Sequence, residues 1–219
     1  MASSTVEDYV KAVYVLQQES PTGEATVARI AATLGVTKGS VTAMVRKLCE
    51  ANLADAERYS GIKLTRKGKA LAVDIIRRHR LIEVFLAETL GLDWSEVHDE
   101  AERLEHAMSA KVLDRLDAFL GHPLTDPHGD PIPDARGRVK TDDAEPLAAF
   151  AQGDTGYIRR VQDQDPEFLR LAAEHGLRPG ARFKVVQASE SADSVTVQIA
   201  RHTPISMSSE VAGQILATR

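Results

Sequence analysis

Residues 27–45 read VARIAATLGVTKGSVTAMV, and this stretch decides the fold of the first part of the chain. Two short helical patterns flank Gly35, which can adopt the left-handed backbone conformation that a tight turn requires. Ala31 is small enough to let the two helices cross closely, and Val41 and Val45 are spaced to fill the wedge between them. The spacing predicts a helix-turn-helix. The alternative is a generic three-helix packing unit with a solvated basic face.

The second helix of this motif, with the hairpin pattern behind it (LADAERYSGIKLT, 53–65), carries side chains suited to DNA. Hydroxyls and cations can contact base edges and phosphates, and a short basic hairpin is typical of a wing. Residues 1–80 hold 13 Lys and Arg against 8 Asp and Glu, a net charge of +5, which favours a polyanionic partner. The predicted DNA-contacting residues are Thr37, Lys38, Ser40, Thr42, Arg46, Lys47, Arg58, Tyr59 and Lys63.

The next segment has the opposite charge and indicates a cation as its partner. Residues 81–135 hold 3 Lys and Arg against 13 Asp and Glu, a net charge of −10. Within it, residues 98–106 read HDEAERLEH. Because no Gly or Pro falls inside this stretch, the sequence predicts one continuous helix from about 96 to 120.

Potential metal ligands would crowd one face of that helix. At about 100° per residue its two imidazoles and two carboxylates share roughly one quadrant, and a His–Glu pair lies one turn apart on the preceding helix. Nitrogen and oxygen ligands without thiolate suit Mn(II), Fe(II) or Zn(II). The alternative is a solvated, charge-rich surface. The six residues are His98, Glu102, Glu105, His106, His79 and Glu83.

Composition sets the broad class. The chain has 219 residues, of which 43% are hydrophobic, and it is expected to fold into two or three small domains. Cys49 is the only cysteine, so no intrachain disulfide can form, which fits a reducing cytoplasm. No apolar run reaches the roughly 18 residues of a membrane span, and no secretion signal opens the chain.

The C-terminal third has strand patterns. The segment GHPLTDPHGDPIPDARGR (121–138) is predicted to be a loop or linker, with His122 and His128 at the surface. From about residue 155 the runs GYIRRVQ, ARFKVVQA and SVTVQIARH predict strands, with a short helix at about 166–175. We expect a small, strongly bent β-barrel there, and an α+β protein as a whole.

This organisation resembles the diphtheria toxin repressor family of metal-dependent transcriptional regulators. The matching pieces cover nearly the whole chain and are strongest through residue 133. They are EDYVKAVY (7–14), the helix-turn-helix (27–49), RRHRLIEVFL (77–86), VHDEAERLEHAMS (97–109) and GDPIP (129–133). The resemblance implies a winged-helix DNA-binding domain (1–74), a helical metal-binding and dimerisation domain (75–138), a linker (139–154) and an SH3-like β-barrel (155–219).

By this resemblance the primary metal site consists of Asp8, Glu102, Glu105 and His106. The iron-responsive branch has Met and Cys at the first two of these positions, whereas both are carboxylates here, as in the manganese-responsive branch. Replacing soft sulfur by hard oxygen favours Mn(II). The manganese branch has a Glu where this chain has Lys11, whose ammonium cannot ligate and would repel a second cation. A two-ion cluster is therefore not expected there.

An ancillary site is implied as well, of the kind found in longer, iron-type members. In those proteins a Glu and a Gln from the SH3-like domain complete it, and the loop QDQDPEF (162–168) aligns with that region. The ligands implied are His79, Glu83, His98, Gln164 and Glu167, with Asp163 or Asp165 as substitutes.

We therefore expect a cytoplasmic, homodimeric regulator that depends on Mn(II), with Fe(II) as the alternative metal. It would bind double-stranded DNA at a palindromic operator near metal-uptake genes, usually as a repressor, without a membrane or an organic substrate as partner. Two other classes compete with this interpretation. One is a metal-dependent hydrolase, although no nucleophile motif or phosphate loop is present. The other is a winged-helix regulator that senses an organic ligand.

Overall fold

The computed structural model describes residues 3–56, 61–140, 143–162, 165–189 and 191–219. The chain divides into two compact units. The first contains Met1–Arg78, Glu105–Met108 and Pro133–Arg138, and the second contains His79–Leu104, Ser109–Ile132 and Val139–Arg219. None of the helices in these described ranges combines the length and apolarity that crossing a bilayer requires.

The first unit contains the predicted winged helix. Thr26 and Thr37 cap the two helices of the motif, and Gly35 between them has a φ of +63°, as the turn requires. The two strands pair antiparallel, with Asp55 opposite Lys63. The elements are α1 (Ser4–Glu19), α2 (Val27–Thr33), α3 (Lys38–Glu50), β1 (Ala54–Ala56) and β2 (Ile62–Leu64).

One apolar core and one polar contact hold this unit together. Val10, Ile30 and Val41 are fully buried in the core that α1, α2 and α3 share. The buried Gln17 side chain of α1 donates to the carbonyl of Gly23 and accepts the N–H of Leu64, which ties the first helix to the wing. The apolar spacing in α2 and α3 therefore predicted both helices correctly, because their apolar residues do face one core.

The predicted single helix over 96–120 is wrong. The structure has α5 (Val97–Leu104) and α6 (Ala110–Phe119), separated by a turn at 105–109. Ser109 caps α6 by accepting the N–H of Val112, and the carboxylate of Glu105 is fully buried against Lys11 of α1, 2.9 Å from its Nζ. These tertiary contacts stabilise a turn that helix propensity alone does not predict.

The sequence also predicts a long helix from about 66 to 90 before this segment, and the structure has this helix with one irregularity. Thr65 caps α4 (Arg66–Val84) by accepting the N–H of Gly68, and the helix continues as one π-helical turn (Phe85–Thr89) before Gly91. Insertions of this kind occur often at functional sites. Here the turn begins two residues after Glu83, a predicted ligand.

The second unit carries a six-stranded antiparallel sheet in the order β3-β8-β4-β5-β6-β7. No pairing joins β3 to β7 within the described ranges, so the sheet is open and the predicted closed barrel is wrong. Pro146 in the two-residue β3 has no N–H to donate to a further strand. The elements are β3 (Glu145–Pro146), β4 (Thr155–Val161), α7 (Pro166–Glu174), β5 (Arg182–Ser189), β6 (Ser194–Ile199), β7 (Ile205–Ser208), α8 (Ser209–Gly213) and β8 (Ile215–Thr218).

The core of this unit lies against the sheet and α7. Ile158, Phe183 and Leu169 are buried in it, and the indole of Trp94 donates to the carbonyl of Leu169. Leu147 belongs to the same buried core, although residue 147 falls in the predicted linker. The chain is therefore already packed with the sheet before β4 begins.

We expect Gly68→Ala to destabilise the first unit. A Cβ at Gly68 would lie 1.9 Å from the carbonyl oxygen of Leu53, so backbone must move, at a cost of about 1–3 kcal/mol. Gly39→Ala in α3 is the matched control, because its Cβ would meet only Thr37 Oγ1 at 3.7 Å. The measurement is thermal unfolding by circular dichroism. An equal midpoint for the two variants would contradict this packing.

Candidate metal centre

Asp8, Glu105 and His106 come together in the first unit. The Nε2 atom of His106 lies 2.8 Å from Asp8 Oδ1 and 3.7 Å from Glu105 Oε1. The turn at 105–109 makes this possible, because it separates Glu105 and His106 from the helical path of α5. Three of the four predicted primary ligands thus present one nitrogen and two carboxylate oxygens to one small volume.

Two further charged side chains contact this cluster. Glu7 Oε2 lies 2.8 Å from His106 Nδ1, and Lys11 Nζ lies 2.9 and 3.2 Å from the two oxygens of Glu105. Burial lowers the pKa of His106, but the hydrogen bond to Glu7 and the charges of Asp8 and Glu105 outweigh it, so the pKa is raised. The imidazole is therefore surrounded by negative charge that attracts a proton or a cation.

The fourth predicted primary ligand, Glu102, lies among residues of the second unit. Its Oε1 is 3.7 Å from His79 Nδ1 and 3.8 Å from His98 Nε2. The assignment of Glu102 to the primary site remains a prediction. Two of the predicted ancillary ligands are thus among its neighbours.

His79, Glu83 and His98 form a tight triangle in the second unit. The distances are 2.9 Å from His79 Nε2 to Glu83 Oε1, 3.0 Å from His79 Nε2 to His98 Nδ1, and 3.3 Å from His98 Nδ1 to Glu83 Oε1. In an octahedral site, neighbouring ligand atoms lie about 2.1 Å from the ion and subtend a right angle at it, so they are about 3.0 Å from one another. The triangle therefore has the size of one face of an octahedral site. Burial opposes the ionisation of Glu83, yet the two histidines lower its pKa.

His128 was predicted to be a surface residue of the linker, and this is wrong. The residue is fully buried, its ring stacks on Trp94, and Nε2 donates to the Trp94 carbonyl at 2.8 Å. That bond leaves Nδ1 as the lone-pair nitrogen. Nδ1 has no hydrogen-bond partner among the described residues and lies 3.8 Å from Glu83 Oε1. A buried lone pair of this kind is costly unless it is satisfied.

Asp126 is a second residue of this buried region, after His128, that the sequence analysis did not predict as part of a site. Its Oδ1 accepts the N–H groups of His128 and Asp130, both at 2.9 Å, which fixes the loop. Burial and the nearby charges of Glu83 and Asp130 raise its pKa well above the usual value. Glu83, Asp126 and His128 therefore form a second convergent set that shares Glu83 with the first, and a cation there would relieve the repulsion between the carboxylates.

The C-terminal ligands implied for the ancillary site are not brought to it in the part of the chain that the structure describes. Glu167 lies in the first turn of α7, where its N–H is donated to Asp165, and it belongs to none of the convergent ligand groups. Gln164 and Asp163 fall outside the described residues. These assignments stay predictions.

The predicted DNA-contacting residues that the structure describes are exposed. Two of the cations have acidic neighbours, because Lys63 pairs with Glu24 at 2.9 Å and Arg46 with Glu50 at 3.0 Å. Arg58 and Tyr59 lie outside the described residues. The exposed residues are Thr37, Lys38, Ser40, Thr42, Arg46 and Lys47 in and before α3, and Lys63 in β2.

The donor sets fit a divalent cation of borderline or hard character. They contain imidazole nitrogens and carboxylate oxygens, and an orphaned buried nitrogen points at one of them. A winged helix in a chain with such clusters defines the class of protein: a metal-responsive, DNA-binding transcriptional regulator.

Comparison with known proteins agrees with this class. The chain matches the family models for the iron dependent repressor N-terminal DNA binding domain (residues 1–62), the iron dependent repressor metal binding and dimerisation domain (65–134) and the FeoA domain (145–219). It is 32% identical to the iron-dependent repressor IdeR of Mycobacterium tuberculosis, over 95% of this chain and 94% of that protein. The chain belongs to the iron-dependent repressor family, which includes the diphtheria toxin repressors.

Manganese-responsive relatives are similar as well. The HTH-type regulator MntR of Bacillus pumilus is 38% identical over 53% of this chain and 78% of its own length. The solved structure of a manganese-dependent transcriptional repressor in complex with manganese superposes with a TM-score of 0.89, at 39% identity, over 97% of this chain and 98% of that one.

We expect His98→Ala to remove one bound Mn(II) per chain. The change deletes one corner of the His79–Glu83–His98 triangle while leaving the core intact, because His98 is only partly buried. The measurement is equilibrium dialysis followed by elemental analysis, and His122→Ala, an exposed histidine paired with Asp117, is the control. Wild-type stoichiometry in His98→Ala would exclude His98 as a ligand.

Proposed function

We propose that this chain is a Mn(II)-responsive transcriptional repressor of metal-uptake genes, with Fe(II) as the alternative metal. The observation that carries the proposal is the convergence of Asp8, Glu105 and His106, which offer one nitrogen and two carboxylate oxygens. Oxygen and nitrogen ligands suit Mn(II), which sits low in the Irving–Williams order and depends on geometry for selectivity. The similarity to a manganese-dependent repressor supports this choice, and the IdeR relatives keep iron as the alternative.

Binding of the ion would connect DNA reading with metal sensing. Asp8 lies on α1, which packs with α2 and α3 of the helix-turn-helix. Glu105 and His106 lie on the turn between α5 and α6. Asp8, Glu105 and His106 would hold the cation, and its positive charge would then attract the acids of α1 and of this turn to one another. Since metal and DNA would favour the same arrangement, each should strengthen the binding of the other.

We propose that the protein acts as a homodimer on a palindromic operator. The family model for residues 65–134 describes a dimerisation domain. The exposed apolar side chains of the second unit support this, because Val112 and Phe119 on α6 are 52% and 68% exposed. A twofold dimer would present two α3 helices to successive major grooves. Because its target is the chromosome, we expect it to act in the cytoplasm.

A second cation would bind at the buried carboxylate Glu83 in the second unit. Glu83 converges with His79 and His98 in one group of ligands and with His128 and Asp126 in another. We add His128 and Asp126 to the ligands implied by the resemblance, because the Nδ1 atom of His128 is otherwise unsatisfied. Gln164 and Glu167 remain candidates from the C-terminal loop.

The two competing classes have weaker support. A hydrolase needs an open metal position beside an acid or base in a substrate pocket. The relatives named above are transcriptional regulators, so we do not expect enzymatic activity. A regulator that senses an organic ligand does not require convergent sets of His and carboxylate side chains such as those found here.

We expect Asp8→Ala and His106→Ala to abolish Mn(II)-dependent DNA binding. Each change removes one ligand and leaves the ion with too few contacts to hold α1. The measurement is fluorescence anisotropy of a duplex from the gene's own upstream region, with Mn(II), Fe(II), Zn(II) or a chelator. His122→Ala should bind as wild type does. A ligand variant that binds the duplex tightly in chelator would disprove the mechanism.

We expect a single ion at the primary site, since the Lys11 ammonium already occupies one side of Glu105. Crystals soaked in Mn(II) should show one anomalous peak near Asp8, Glu105 and His106. Lys11→Glu should add a second peak within about 4 Å of the first, as in two-metal sites. Two adjacent ions in the wild type would refute this prediction.

A further inference from the structure

Glu7, like Asp8, contacts the imidazole ring of His106. The two acids are neighbours on α1, and they contact the two different ring nitrogens. Glu7 Oε2 lies 2.8 Å from Nδ1, whereas Asp8 Oδ1 lies 2.8 Å from Nε2. A neutral imidazole carries only one N–H, so one of the two nitrogens must present a lone pair.

Burial and charge decide which nitrogen keeps the proton. The Glu7 side chain is buried, and its other charged neighbour is Arg78, 3.7 Å from Nη1 to Oε2. Arg78 in turn pairs with Asp74 one turn earlier on α4. A buried carboxylate without a donor is costly, so Glu7 needs the N–H of His106. Asp8 is more exposed, with 37% of its side chain accessible, and can instead face an ion.

The surroundings of Nε2 agree with this assignment. That nitrogen faces both Asp8 and Glu105, at 2.8 and 3.7 Å, and these are the two acids of the convergent ligand set. Nδ1 faces only Glu7 among these acids. A carboxylate that accepts the second N–H of a ligating histidine fixes its tautomer and raises its basicity as a ligand.

We propose that Glu7 is a positioning residue, which keeps His106 in the Nδ1–H tautomer and so presents Nε2 to the cation. Arg78, which is itself paired with Asp74, lies beside Glu7. The inference rests on the proposed metal site, and it adds a residue that the resemblance did not imply. Glu7 itself does not ligate.

The first test uses the unmodified protein, so it does not depend on whether a variant folds. Cadmium is a diamagnetic probe of the same ligands, and nuclear magnetic resonance with spin-active isotopes of cadmium and nitrogen reports which histidine nitrogen binds it. We expect scalar coupling from cadmium to His106 Nε2 and a proton retained on Nδ1. Coupling to Nδ1 would overturn the inference. If cadmium couples to neither nitrogen of His106, the proposed metal site itself fails.

The second test measures Mn(II) affinity by calorimetry in two variants of Glu7. Glu7→Leu removes the acceptor but keeps the volume, and we expect affinity at the primary site to fall about 10- to 100-fold. Glu7→Gln keeps an acceptor oxygen and should lose less. Glu19→Gln, a carboxylate at the other end of α1 that pairs with Arg29, is the control and should bind as wild type does. Wild-type affinity in a Glu7→Leu variant with an unchanged melting profile would overturn the inference.

Discussion

The turn between α5 and α6 is the constraint on which the proposed metal chemistry depends. If residues 97–119 formed one helix, Glu105 and His106 would continue the path of α5. Instead, Ser109 starts a new helix and the Glu105 carboxylate is buried against Lys11 of α1. Residues 105–108 thereby belong to the first compact unit, although the residues on both sides of them belong to the second.

Much of the fold could be predicted from local pattern. The helix-turn-helix, the wing, α4 and three strands followed from apolar periodicity and from turn residues such as Gly35, because each of these elements buries one regular face. The break after Leu104 could not be predicted, since it depends on a partner about ninety positions away. The open edge of the sheet was missed because β3 has only two residues, too few to show any alternation, and β7 has only four.

The candidate site was predictable in its residue types but less so in its groupings. His79, Glu83 and His98 do meet, and so do Asp8, Glu105 and His106. His128 was missed because a segment rich in Gly, Pro and Asp usually lies on the surface. Here two N–H groups bonded to Asp126 fix the loop, and Gly129 approaches the carbonyl of Arg159 too closely for any side chain. The sequence signal for this buried pair was Asp126, two residues before His128 in a stretch rich in turn residues.

The proposed metal sites contain their own positive charges. Lys11 balances Glu105, Arg78 approaches Glu7, and Arg80 lies 3.5 Å from both Asp126 and Asp130. Small domains built around a structural zinc ion have no such internal balance and unfold without their metal. We expect a repressor in which cations already balance Glu105 and Glu7 to stay folded while metal is scarce. When the metal concentration rises, repressor molecules that are already present would bind the ion. The response would then be as fast as ion binding and would not require new protein synthesis.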